Sequence, residues 1–350
     1  MCKTQKRHTF KTIPVEDAVG TVVPHDMTEI IPGKSKGPVF KRGQKITAGD
    51  VCRLQRMGKN NLYVLDLKEG QVHEDDAVFE LASALAGPGV SFSNNPGEGK
   101  LELRADHQGL LKVNVDALTQ FNMIDDVMCA GIHNNTPVEK GDSLGATRAI
   151  PVVIDREYLD QAVAVARENY PIFSVHTYNP LKIRVAIVGN EVFDGLIQDK
   201  FEDIVREKAE ALGGIIEEVE ILPDNLEIIR DKVTDYLNKD TDLIITTGGM
   251  SVDPDDVTRE GIEAAGFDEV NYSSAVLPGA MFLLGYTEKT AIMGLPACGL
   301  YHRRTIFDLI LPRVMAGERP GKLDLARLSH GGLCLNCKPC RYPHCSFGKA

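Results

Sequence analysis

From Leu181 onward the chain alternates apolar runs with amphipathic stretches, and this alternation constrains the fold more than any other feature. Lys182–Val188 (KIRVAIV) and Leu243–Thr247 (LIITT) are nearly continuous apolar runs, as strands covered on both faces require. Ile215–Leu222 reads as a third strand. Between them, Phe201, Ile204, Val205, Lys208, Ala209 and Leu212 recur at helical spacing and close at Gly213-Gly214. Leu226, Ile229, Val233 and Leu237 form a second such stripe. Short apolar runs at 282–284 and 291–295 predict further strands, and a last helix is expected from about 299 to 315. The pattern predicts an α/β fold in three layers, a mostly parallel sheet with helices on both faces. Ligands of such sheets sit beyond the carboxyl ends of the strands, which places Gly189-Asn190-Glu191 and Gly248-Gly249 on one rim.

The stretch LIITTGGMSVDPDDVT, residues 243–258, carries the chemistry. Its glycines allow a ligand to approach the backbone. A helix beginning near Asp255 or Asp256 would offer unpaired N–H groups to an anion such as phosphate. Asp253, Asp255 and Asp256 would repel a bare phosphate, and a hard cation such as Mg²⁺ between them resolves the conflict. The loop on its own residues therefore predicts a phosphorylated ligand held with a metal. The plain alternative is a strand-to-helix turn capped by Asp256 or Thr258.

The rest of the chain divides by pattern. Residues 1–70 read as an N-terminal α+β unit: a short helix at 14–20, a strand-like stretch at 21–31, a helix with Asp50 as N-cap, and an alternating strand at 62–67. Residues 71–176 read as a second, β-rich α+β region, with strands at 101–105 and 110–115 joined by a turn, and a helix at 157–168 broken by Pro171. Residues 177–320 form the α/β domain, and 321–350 a Cys-rich tail. The formal net charge of −11 argues against nucleic acid and against an anionic membrane as partners. No apolar run reaches membrane-span length, and the basic N-terminus lacks the apolar core of a secretion signal. A cytoplasmic location is expected, with the eight cysteines reduced or ligating metal. In the tail, Cys334, Cys337, Cys340 and Cys345 are spaced C-x2-C-x2-C-x4-C, which suits one metal centre. Zinc, with four cysteines or with His344, and an iron–sulfur cluster are both compatible.

Four motifs in order resemble the molybdopterin-binding domain of molybdenum cofactor biosynthesis proteins, most closely the molybdopterin molybdenumtransferase branch. They are Gly189-Asn190-Glu191; the loop with Gly248, Gly249, Ser251, Val252, Asp256 and Thr258; Pro278-Gly279; and Gly294-Leu295-Pro296. The likeness covers about 181 to 316, with a fainter one over the opening unit. It implies molybdopterin, its adenylylated form or the finished molybdenum cofactor as ligand. The terminal phosphate would sit on Gly248 and Gly249, with hydroxyls from Ser251 and Thr258. Glu191 and Asp256 would hold Mg²⁺ or orient a pterin amine, and are the catalytic candidates. Gly189, Asn190, Thr247, Asp253, Pro278, Gly279, Gly294 and Pro296 complete the implied binding set. Two departures stand out: the family's lysine after Pro-Gly is Ala280 here, and Gly-Asn-Pro is replaced by Ala297-Cys298-Gly299. The implied activities are molybdate insertion or, without catalysis, a cofactor carrier or sensor docking on a molybdoenzyme. A nucleotide-processing enzyme on the same domain type is a third reading. The resemblance also implies a homo-oligomer. His302-Arg303-Arg304 would either face a bound anion or point into solvent.

Overall fold

The computed structural model describes residues 11–64, 67–97, 99–250, 253, 256–267 and 269–349. Contacts group the chain into two compact units: Met1–Ala105, Asn114–Ile132 and Asp142–Ser174 in one, and Asp106–Val113, His133–Gly141 and Val175–Ala350 in the other.

The second unit is built on six strands: β1 (Lys182–Val188), β2 (Ile215–Leu222), β3 (Leu243–Thr247), β4 (Glu269–Tyr272), β5 (Leu283–Tyr286) and β6 (Ala291–Leu295). Their order is β2-β1-β3-β6-β5-β4. The first four are parallel, and β5 and β4 complete the sheet antiparallel, so the sheet is mostly parallel, as the sequence pattern predicts. All five residues of β3 are buried, which is why it reads as unbroken apolar sequence. Side chains on a strand alternate faces. Ile183, Val185 and Ile187 accordingly enter one core with Phe307 and Ile310, while Ala186 and Val188 enter another with Tyr236, Ile262 and Phe267. At the edge, β2 carries three glutamates paired with Arg184, Lys232 and Lys239, and charge of this kind discourages strand addition.

Four helices cover the sheet: α1 (Phe201–Glu210), α2 (Leu226–Asn238), α3 (Thr258–Ala264) and α4 (Ile306–Met315). Two boundaries correct the sequence reading. The helix expected from Asp255 or Asp256 begins at Thr258 and spans seven residues, with Val257 as an N-cap that makes no side-chain bond. Neither Asp256 nor Thr258 caps it, and Asp255 lies outside the described residues. The last helix begins at Ile306, not near 299, because Thr305 and Asp308 close a capping box there. Residues Ala297–Leu300 form a separate 3-10 turn.

In the first unit, Val90–Phe92, Lys100–Ala105, Ser143–Ala149 and Val127–Gly131 form an antiparallel sheet in that order. The hairpin expected between 101–105 and 110–115 does not form. Lys100–Ala105 pairs with Val90–Phe92 and Ser143–Ala149, whereas Gly109–Val113 belongs to the other unit and pairs with Thr136–Val138. Gly109 fits closely there, since a Cβ would lie 2.3 Å from the His176 carbonyl oxygen. Nearer the N-terminus, the helix expected at 14–20 is a 3-10 turn, Val15–Ala18. The N-cap of Ala48–Arg56 is Thr47, not Asp50; Asp50 is the third helical residue, and its carboxylate accepts the Thr47 N–H at 2.9 Å.

His73 links two parts of this unit. Its Nε2 donates to the Pro24 carbonyl at 3.0 Å, and its Nδ1 accepts the Asp75 N–H at 3.1 Å. The second bond needs the neutral ring, because a protonated Nδ1 cannot accept. Burial pushes the pKa of His73 below its ordinary value, and burial with nearby Lys59 does the same for His25. The unfolded chain then takes up protons first as pH falls below about 6.5, so stability is lost from there downward through the lowered folded values. Hydrogen exchange of the Asp75 amide is expected to quicken between pH 7.5 and 5.5 in the native chain. An unchanged rate, corrected for intrinsic exchange, would contradict this reading.

Candidate functional site

At the carboxyl ends of β1, β2, β3 and β6 lies a cavity of about 1100 Å³ within the second unit. Each strand contributes the loop that follows it: Gly189 and Glu191 after β1, Asp224 after β2, Gly248 and Gly249 after β3, and Pro296, Ala297 and Cys298 after β6. The connection between β4 and β5 supplies the facing wall, Leu277 to Met281. This is the place where parallel sheets bind ligands.

The glycine turn is sterically dictated. Gly248 and Gly249 have φ of +81° and +56°. A Cβ on Gly248 would stand 1.9 Å from the Val188 carbonyl oxygen, and one on Gly249 would stand 2.2 Å from Thr258 Oγ1. Beneath the turn, Thr247 and Thr258 are fully buried, and their hydroxyls have no hydrogen-bond partner among the described residues. Buried hydroxyls are seldom left unpaired, so a site that can offer them an acceptor stands out.

Two other loops are tied across the rim. Asn190 N–H donates to an Asp224 carboxylate oxygen at 2.8 Å, and Asp224 N–H donates to Asn190 Oδ1 at 3.0 Å. Asp253 N–H donates to an Asp256 carboxylate oxygen at 3.1 Å, and Asp256 N–H donates to the Asp253 carbonyl at 3.0 Å. Asp256 is thus held facing its own loop by one oxygen.

Of the residues picked from sequence, Gly189, Glu191, Gly248, Gly249, Asp253, Asp256, Pro278, Gly279 and Pro296 line the cavity. Asn190 acts through its clamp on Asp224. Thr247, Thr258 and Gly294 stand behind the wall; a Cβ on Gly294 would meet Met250 Cε at 2.6 Å. Ser251 and Val252 lie outside the described residues.

His302, Arg303 and Arg304 serve three different ends. His302 lines the cavity, its Nδ1 3.0 Å from Asn336 Oδ1. Arg303 is exposed. Arg304 turns away to Asp308 at 2.7 Å and stacks over the Tyr342 ring. Cys298 lines the cavity, half-buried, and burial pushes its thiol pKa up, which disfavours the reactive thiolate.

Sequence reasoning missed Asp224, Lys200 and the contribution of the tail. Asp224 follows β2 at its carboxyl end, so the rim rule alone would have found it. Leu333, Cys334 and Asn336 complete the wall because Cys334 N–H bonds the Leu277 carbonyl and Leu277 N–H bonds the Gly332 carbonyl, each at 2.8 Å. Nothing local in the tail announces that pairing. Among the described residues the lining carries five carboxylates, Glu191, Asp199, Asp224, Asp253 and Asp256, against the single lysine Lys200. Asp199 is spent on the amides of Phe201 and Glu202, at 3.0 and 2.9 Å. Among the described residues no three His, Cys, Asp or Glu side chains are gathered as a ready metal site, in the cavity or in the tail.

Residues 184–316 match a family model described as a probable molybdopterin binding domain, and residues 12–66 match one described only as a domain of unknown function. A CinA-like protein of Thermosipho melanesiensis is 38% identical over 78 residues, 22% of this chain and 19% of that protein. A molybdopterin molybdenumtransferase of Haemophilus influenzae is 30% identical over 161 residues, 43% of this chain and 39% of that protein. The chain thus spans from about a fifth to two fifths of the length of these relatives. Among solved structures, the molybdopterin biosynthesis enzyme MoaB from Thermus thermophilus is 21% identical, with a TM-score of 0.35 over 39% of this chain and 98% of that one.

Proposed function

We propose, from the premise that residues 184–316 belong to the molybdopterin-binding domain family, that this chain binds molybdopterin or its adenylylated form in the cavity and serves molybdenum cofactor assembly as a carrier. The observation that carries the reading is the Gly248-Gly249 turn with the unpaired hydroxyls of Thr247 and Thr258 beneath it. The phosphate would rest on the turn, Glu191 and Asp224 would face the pterin's amino groups, and Leu277 and Pro278 would cover its apolar face.

Magnesium belongs to the same proposal. Asp253, Asp256 and Glu191 have the oxygen donors a hard cation takes, and Mg²⁺ is characteristically held by one or two carboxylates together with substrate phosphates. The bound ion would offset the charge of the phosphate against the acidic lining. Replacing Asp256 with alanine should weaken Mg²⁺-dependent binding about tenfold, roughly 1.4 kcal/mol, as read by titration with and without EDTA. Equal affinity in both proteins would remove Asp256 from that role.

Molybdate insertion is the second reading, favoured by the likeness to the Haemophilus molybdenumtransferase. Against it, the cavity offers a dianion Ala280, Ala297 and Cys298 where the family pattern has lysine and asparagine, and among the described lining residues only Lys200 and His302 are basic. Incubation with adenylylated molybdopterin, Mg²⁺ and molybdate separates the two. Tight binding without AMP release supports the carrier, and AMP release with active cofactor supports the enzyme. Self-association, hand-over to a molybdoenzyme and a cytoplasmic location complete the proposal.

A further inference from the structure

Cys334, Cys337, Cys340 and Cys345 line one void of about 30 Å³ beside Arg304, Arg341, Tyr342 and Phe347. The segment that carries them is packed, not trailing. Phe347 is 2% exposed in the core that contains Phe307 and Ile310, and Cys334, Tyr342 and Cys345 pack against that core. The Tyr342 hydroxyl donates to the Asp308 carbonyl at 2.9 Å. The fold therefore brings four cysteines from a twelve-residue stretch around one small void.

We propose that this void is a structural zinc site, with Cys334, Cys337, Cys340 and Cys345 as its four thiolate ligands. Three observations support it. Four thiolates are a donor set that zinc takes tetrahedrally. The four cysteines also stand on a segment packed into the core by Phe347 and Tyr342, so the fold brings all of them to one void. The charge is also offset in part: four thiolates and Zn²⁺ sum to −2, and Arg304 and Arg341 line the void, Arg304 being shared with Asp308. Arg304 lines the void, and its Nε is buried without an acceptor among the described residues. Metal-bound thiolates would provide one.

The sulfurs are not yet gathered around one point, so they draw in by side-chain rotation as the ion enters. Each thiol gives its proton to solvent on binding, and no electrons move. Cys334 lines both the small void and the large cavity, and its backbone is paired with Leu277 beside Pro278-Gly279. Zinc on Cys334 therefore buttresses one wall of the large cavity. This inference stands whether or not the cavity takes a pterin.

The test is metal analysis of the full chain purified under reducing conditions, then stripped and titrated with zinc chloride. About one zinc per chain, with four fewer thiols reactive to a thiol reagent, supports the proposal. No uptake, or iron with acid-labile sulfide, overturns it. Cys337 is exposed, so Cys337→Ser should fold and lose zinc affinity at least a hundredfold, while Cys52→Ser should retain it; full affinity in Cys337→Ser overturns the ligand assignment. Zinc should also slow amide exchange at Leu277 and Cys334, and unchanged exchange there overturns the buttress.

Discussion

Replacing Gly248 with alanine is expected to destabilise the second unit by about 2–3 kcal/mol and to abolish ligand binding. A left-handed backbone imposed on a residue with a Cβ costs on the order of 1–3 kcal/mol. The φ of Gly248 is +81°, and the added carbon would stand 1.9 Å from the Val188 carbonyl oxygen. That oxygen belongs to the backbone of β1, so relief means moving β1 or the turn itself. Gly266 provides the comparison, because its φ is +101° with nothing within 4 Å of an added Cβ. Gly266→Ala should show the dihedral cost alone, about 1 kcal/mol, with binding intact. Urea unfolding gives the stabilities, and ligand titration gives the binding. Equal stability losses in the two variants would contradict the close approach of Gly248 to Val188.

Removing the Asp308 carboxylate should have a larger effect on stability. Asp308 is 6% exposed at the start of α4. One oxygen accepts the Thr305 N–H and the Lys208 ammonium, both at 2.8 Å, and the other accepts Arg304 at 2.7 Å. Asp308→Ala takes away the helix cap and leaves two part-buried cations without a counter-charge. Breaking a buried pair from one side costs about 3–5 kcal/mol, mostly from the charge left behind. Adding Lys208→Met should therefore recover part of the loss, since it removes one stranded cation and keeps an unbranched side chain at that place, although the ammonium's contact with the Phe307 ring at 5.9 Å goes with it. A double variant no more stable than Asp308→Ala would assign the cost to the cap. Because Arg304 also reaches the tail by stacking over Tyr342, the single variant should quicken exchange in 340–347 as well.

The sheet was legible in the sequence because its central strands are buried on both faces. β3 and β6 appear as unbroken apolar runs at the bounds they adopt. The cavity loops were legible because glycine and proline at strand ends mark where backbone conformation is restricted, and Gly248, Gly249, Pro278 and Pro296 all line the cavity. What failed to show was non-local. The strands 101–105 and 110–115 are neighbours in sequence, yet they take partners from different units. The tail closes the cavity by pairing Cys334 with Leu277 across more than fifty residues, and no local pattern encodes that. The charges misled differently. Asp256 and Thr258 have the composition of helix caps, but the helix begins beyond one and at the other. Arg304, adjacent to the cavity in sequence, is claimed by Asp308 instead.

The central claim is that the turn at Gly248-Gly249 holds the phosphate of a pterin ligand. Its most direct test is calorimetric titration of the full chain with molybdopterin in Mg²⁺, under anaerobic conditions, for the native protein and Gly249→Ala. A Cβ there would meet Thr258 Oγ1 at 2.2 Å and stand 3.3 Å from Asp224 Oδ1, crowding the turn from within the cavity. The expected result is saturable binding at one ligand per chain, weakened at least a hundredfold in Gly249→Ala. Absence of binding to the native chain, or equal affinity in the two proteins, would contradict it.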